Sequence, residues 1–89
     1  MTIERTIVVK NRSGIHARPA AELVKTAARF SAEITIVRDD VEVNGKSIMG
    51  VMMLAAEQGA ELLLRARGPD AEAALDALQA VVDAKFGES

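Results

Sequence analysis

The chain has 89 residues, 49% of them hydrophobic and 27% charged, with no cysteine and a net charge of −2. This fits one small globular domain over residues 1–89, and the missing thiols exclude disulfides and thiolate metal sites. Met1–Arg5 lacks the basic start and apolar run of a signal peptide, and no apolar stretch approaches the roughly 20 residues that span a bilayer, so a cytoplasmic protein without membrane insertion is expected.

Ile3–Lys10 is rich in Ile, Val and Thr and reads as a strand. Asn11-Arg12-Ser13-Gly14 is turn chemistry. Ala20, Leu23, Val24, Ala27 and Phe30 then recur at helical spacing, and Pro19 must lie in the first turn, where a missing N–H costs nothing. This helix therefore starts close to His16 or Ala17. Glu33–Arg38 alternates apolar and polar residues as a strand does, Asp39-Asp40 suits a hairpin turn, and Val41–Val43 is a short return strand. Asn44-Gly45 breaks it. Ser47 is placed to cap a short apolar helix ending near Ala56. Glu61–Arg67 is a strand, and Gly68-Pro69-Asp70 opens a last helix with Ala71, Ala74, Leu75, Leu78, Val81, Val82 and Phe86 as its apolar stripe and Gly87 as its stop. The order βαββαβα, with two crossover helices and a hairpin, predicts an α+β two-layer sandwich with the helices on one face of one sheet.

Charge is unevenly spread. Residues 1–31 hold six Lys/Arg against two Asp/Glu, whereas residues 68–89 hold one Lys against five Asp/Glu. Solvated surfaces account for this, and so would a basic third that meets an acidic partner or an anion.

His16 is the only histidine. The first N–H groups of a helix lack partners inside it, and the dipole adds partial positive charge, so an anion is welcome there. Pro19 gives up one donor, but the amides of Ala17 and Arg18 remain. Arg18 adds a guanidinium that matches two phosphate oxygens. Gly14 can take an unusual backbone angle and is expected to keep bulk away from the ring. Neutral imidazole is a nucleophile without help, and no second histidine, cysteine or general base is near in sequence. Reversible phosphorylation of the ring is the simplest chemistry such a site offers. Spacing alone leaves open a histidine that only caps the helix or is partly buried. One histidine without adjacent carboxylates supplies too few ligands for a metal site, and no cofactor-binding loop is present.

The string Gly14-Ile15-His16-Ala17-Arg18-Pro19-Ala20, with Asn11 ahead of it, resembles the active-site signature of the HPr family, the histidine-containing phosphocarriers of the bacterial phosphoenolpyruvate-dependent sugar phosphotransferase system. The resemblance covers the whole chain. It implies the HPr-like open-faced sandwich with a four-stranded antiparallel sheet. It also implies phosphorylation of His16 at Nδ1, with Arg18 as the anion-stabilising neighbour. The implied partners are enzyme I, charged by phosphoenolpyruvate, and the enzyme IIA domains of sugar permeases, served by a stoichiometric carrier rather than a self-sufficient enzyme.

Asn44–Leu54 is the second informative stretch. A phosphate on Ser47 would face free helix amides and be tolerated, although the pattern also allows a cap and nothing more. Val51, Leu54 and Ala55 are the expected core face of the short helix. Ile48, Met49 and Met52 are then partly exposed, an adaptable docking patch, unless all of them are core. The stretch resembles the regulatory-serine segment of HPr proteins, which implies that Ser47 is open to a dedicated serine kinase/phosphorylase and that the following helix docks partners. The nitrogen-related paralogue, NPr, keeps the histidine motif and feeds a regulatory phosphorelay; Lys46–Gly50 resembles HPr better. A small-molecule-binding regulatory domain would not need the His16–Arg18 pair. Two aromatic residues and a negative net charge speak against nucleic acid. A monomer is expected.

Overall fold

In the computed structural model, which describes residues 1–88, the elements are β1 (Thr2–Val8), α1 (Ala17–Ala27), β2 (Glu33–Arg38), β3 (Val41–Asn44), α2 (Ile48–Met53), β4 (Glu61–Arg67) and α3 (Ala71–Asp83), followed by a 3₁₀ turn at Lys85–Gly87. The four strands form one sheet in the order β1-β4-β2-β3, with every pairing antiparallel. Strand β4 lies centrally, with Leu62 opposite Ile7 and Leu64 opposite both Arg5 and Ile36. Alternation sends Ile7, Ile34, Ile36, Leu62, Leu64 and Ala66 to the inner face, where they meet Leu23, Val51, Leu75, Leu78 and Val82 of the helices in one buried cluster. The outer face is mostly polar, with Val8, Val37 and Leu63 as its apolar residues. Arg65 bonds Glu4 at 2.9 Å and Glu42 at 3.2 Å, and Arg67 bonds Glu33 at 2.7 Å. The two-layer α+β arrangement is the one expected.

The helix ends differ from expectation. Helix α1 stops at Ala27 and tightens into i→i−3 bonds from Arg29 to Thr26 and from Phe30 to Ala27. Helix α2 stops at Met53, because Ala55 turns to φ +47°. Ala55 was expected in the core with Val51 and Leu54; those two are buried, but the left-handed turn leaves Ala55 exposed. The guanidinium of Arg38 holds that turn, donating to the Leu54 and Ala55 carbonyls at 3.1 and 3.0 Å while pairing with Glu57. Helix α3 ends at Asp83 rather than at Gly87. Lys85, Phe86 and Gly87 then follow one another with φ of 56°, 55° and 78°. Phe86 therefore reaches the core from this left-handed turn, 6% exposed, and not from the helical stripe.

The asymmetry of charge is partly absorbed within the molecule. Arg5 of β1 pairs with Asp76 at 2.9 Å and Lys10, just after that strand, with Asp83 at 2.7 Å, so basic residues near the start of the chain meet acidic residues of the last helix.

Candidate functional site

Asn11 is fully buried and shapes the loop between β1 and α1. Its Nδ2 donates to the Gly14 carbonyl at 2.7 Å, and Gly14 N–H donates to the Asn11 carbonyl at 3.2 Å. The loop is pinned to the segment after α2 by the Ile15 N–H, which donates to the Ala56 carbonyl at 2.8 Å. Gly14 has φ +72°, and a Cβ there would stand 2.5 Å from that same carbonyl oxygen. The glycine thus makes room for the Ala56–Glu57 backbone, not for the imidazole as expected.

His16 is the N-cap of α1, in extended conformation, and its carbonyl accepts from Ala20 N–H at 2.9 Å. Ala17 and Arg18 occupy the first two helical positions, so their amides are among those that an α-helix leaves without internal partners. The His16 side chain makes no capping hydrogen bond to this end. The His16 side chain is 47% exposed. Arg18 is exposed as well, and it lines an open concavity of about 530 Å³ with Arg12, Ser13, Gly87 and Glu88. Among the described residues neither Arg12 nor Arg18 makes an ion pair. The concavity therefore offers two guanidinium groups without ion-pair partners against one carboxylate, Glu88, and Arg18 sets it at the helix N-terminus, a setting that still favours an anion.

Glu88 is the residue that sequence reasoning missed. Its Oε2 lies 3.1 Å from His16 Nε2. Its Oε1 accepts from the Ser13 hydroxyl at 2.7 Å and from Asn11 Nδ2 at 3.3 Å. These donors, Ser13 first, then Asn11, then His16, hold the carboxyl below the usual carboxylate range. Nothing in the helical periodicity marks Glu88, because the turn at Lys85–Gly87 brings it back across 72 residues of chain. The only trace in the sequence is the acidic end set against the basic beginning.

Ser47 is the N-cap of α2, and its Oγ accepts from Gly50 N–H at 3.1 Å. Ile48, Met49 and Met52 are 44%, 78% and 42% exposed, and Met53 joins them at 72%. The apolar residues of α2 are thus divided as expected, with Val51 inward and Ile48, Met49 and Met52 outward, and Met53 adds to the exposed set. Helix α2 packs on α1, which joins the second motif to the element carrying the first. Among the described residues no helix is long and apolar enough to cross a membrane.

The family described as "PTS HPr component phosphorylation site" matches residues 3–84. The chain is 51% identical to the phosphocarrier protein HPr of Treponema pallidum, over 97% of this chain and 98% of that one. It is 44% identical to the phosphocarrier protein NPr of Shewanella violacea, over 98% and 96%. Among solved structures, an HPr from Thermoanaerobacter tengcongensis superposes with a TM-score of 0.94 at 48% identity, covering 98% of each chain. An HPr dimer from the same organism matches with a TM-score of 0.79 at 49% identity, over 92% and 94%.

Proposed function

The chain belongs to the HPr family of phosphocarrier proteins of the phosphotransferase system, and we propose that it accepts a phosphoryl group on His16 from enzyme I, charged by phosphoenolpyruvate, and passes it to enzyme IIA domains of sugar permeases. One observation carries this reading: an exposed imidazole at a helix N-terminus whose Nε2 is engaged by Glu88, and Glu88 in turn lines a concavity with Arg12 and Arg18, which make no ion pair among the described residues. The other ring nitrogen, Nδ1, is then the nucleophile. The amides of Ala17 and Arg18 and the Arg18 guanidinium receive the equatorial oxygens as charge develops on them. Carrier and not enzyme, the protein acts stoichiometrically in the cytoplasm as one folded unit.

In this reading enzyme I and enzyme IIA dock in turn on the surface around His16 and on the exposed Ile48, Met49 and Met52 of α2. A serine kinase/phosphorylase that modified Ser47 would place a dianion inside that docking surface. We expect a monomer to be the working form. Sedimentation that gave a dimer as the only species would reverse this, and a solved HPr dimer makes the measurement worthwhile.

The test is incubation with enzyme I and phosphoenolpyruvate followed by intact mass at alkaline pH. One phosphoryl adduct is expected, lost on acidification as a phosphoramidate is. His16→Ala should give no adduct and keep the fold. An acid-stable adduct, or one that persists in His16→Ala, would overturn the assignment. The relative named NPr keeps a regulatory phosphorelay as the second reading. Transfer rates to a sugar-type and to a nitrogen-type enzyme IIA decide between the two.

A further inference from the structure

The turn at Lys85-Phe86-Gly87 follows on α3. Two successive residues with side chains, Lys85 and Phe86, adopt left-handed conformations that L-residues disfavour. Burial of Phe86 holds the turn in place, and its outcome is that Glu88 stands against His16. The carboxylate is only 18% exposed, and three donors surround it. An ionised carboxylate can only accept hydrogen bonds. Two of its donors, the Ser13 hydroxyl and the Asn11 amide, fix one oxygen, and the other oxygen must then receive a proton carried by Nε2.

We infer that Glu88 is a positioning residue for phosphoryl transfer: it holds His16 in the Nε2–H tautomer, aims the ring, and leaves the Nδ1 lone pair free to attack. The inference rests on the phosphocarrier reading of His16. In the step itself the Nδ1 lone pair forms the N–P bond, while the bond from phosphorus to the donor breaks and the donor keeps that electron pair. The Nε2 proton stays on the ring throughout. The positive charge that the ring acquires is met by the Glu88 carboxylate. On transfer to the acceptor the N–P electron pair returns to Nδ1, and the same carboxylate again faces a neutral Nε2–H. No proton moves in either direction, so the carrier needs no general base. Asn11 and Ser13 act through Glu88, and the loop that carries the nucleophile also fixes the group that orients it.

The experiment compares wild type, Glu88→Gln and Glu88→Ala. Nitrogen-15 NMR of the imidazole reads the tautomer without any partner present, and quenched-flow phosphorylation by enzyme I and phosphoenolpyruvate reads the rate. Wild type should be almost wholly Nε2–H when neutral. Glu88→Ala should show a larger share of Nδ1–H and a rate lower on the order of tenfold, the loss expected of one partly exposed charge-assisted bond. Glu88→Gln can still accept from Nε2–H, so it should keep the tautomer and lose only the part of the rate due to charge. A Glu88→Ala protein with wild-type tautomer and wild-type rate would overturn the inference, and so would a shifted tautomer with an unchanged rate. If wild type itself accepts no phosphate on His16, the phosphocarrier reading fails while the tautomer measurement still reports on the Glu88 contact.

Discussion

In the proposed carrier Gly14 and Arg18 bear on His16 in different ways. At Gly14 the constraint is steric. With φ +72° and a backbone oxygen 2.5 Å from where a Cβ would stand, Gly14→Ala must shift either the loop or the Ala56–Glu57 segment. It should cost at least about 1 kcal/mol from the left-handed conformation alone, read as a lower urea midpoint, and it should slow phosphorylation because the loop carries His16. An unchanged midpoint would mean that the segment gives way freely. At Arg18 the constraint is electrostatic. Arg18→Ala leaves the backbone amides and removes one guanidinium, so acceptance should persist at a rate lower by roughly tenfold or more; an unchanged rate would reduce Arg18 to a surface charge. Both residues lie in a string whose spacing already marks a helix start with an anion-friendly end. Glu88 was not legible in that way, because a contact across 72 residues leaves no local pattern.

Helix α2 carries the second motif on six residues. A helix this short depends on its ends, since its own hydrogen bonds are few. Its start was readable: Ser47 caps Gly50 N–H, as a serine ahead of an apolar run suggests. Its end was not, because no glycine marks it and the stop is supplied from β2 by Arg38, which binds the Leu54 and Ala55 carbonyls. Two variants separate capping from regulation. Ser47→Ala should cost about 1 kcal/mol. Ser47→Asp keeps an acceptor for the cap and adds negative charge at a helix N-terminus, so thermal stability should hold, while phosphorylation of His16 slows through weaker docking. That slowing should shrink with added salt if long-range repulsion is its source. Equal rates for Ser47→Asp and wild type would leave the serine as a cap. Met49→Glu tests the same surface without the cap: Met49 is 78% exposed, so the fold should stand while enzyme I binding weakens.

At the scale of the molecule, the sheet and its inner face followed from alternation, and the helical stripes from periodicity, because burial imposes both patterns on the sequence. Leu75 is fully buried where α3 covers the sheet, and Leu75→Ala should cost about 2–5 kcal/mol, a large part of the roughly 5–15 kcal/mol that a small fold holds. The long-range polar ties were not patterned and were visible only in three dimensions. Asp70 was expected merely to open the last helix. Its carboxylate does not cap α3, but accepts from Ser31 and Ala32 N–H at 2.9 and 2.8 Å and ties the segment after α1 to the start of α3. Those amides, the Ser31 N–H foremost, lower the Asp70 pKa. A backbone amide at Glu57, followed by Arg38, does the same for Glu57, and Ser13, Asn11 and His16 do so for Glu88. In each case the folded pKa lies below the unfolded one. The unfolded chain therefore binds more protons in acid, and the stabilisation is complete above the ordinary carboxylate range and lost as pH falls through the depressed values. Urea midpoints should consequently be flat from neutral pH to about pH 5 and fall steeply towards about pH 3. Asp70→Asn keeps one oxygen acceptor but cannot titrate, so it should be less stable than wild type at neutral pH and lose less on acidification, the two curves converging in acid. Parallel curves for wild type and Asp70→Asn would show that Asp70 is not among the groups that couple this fold to protons.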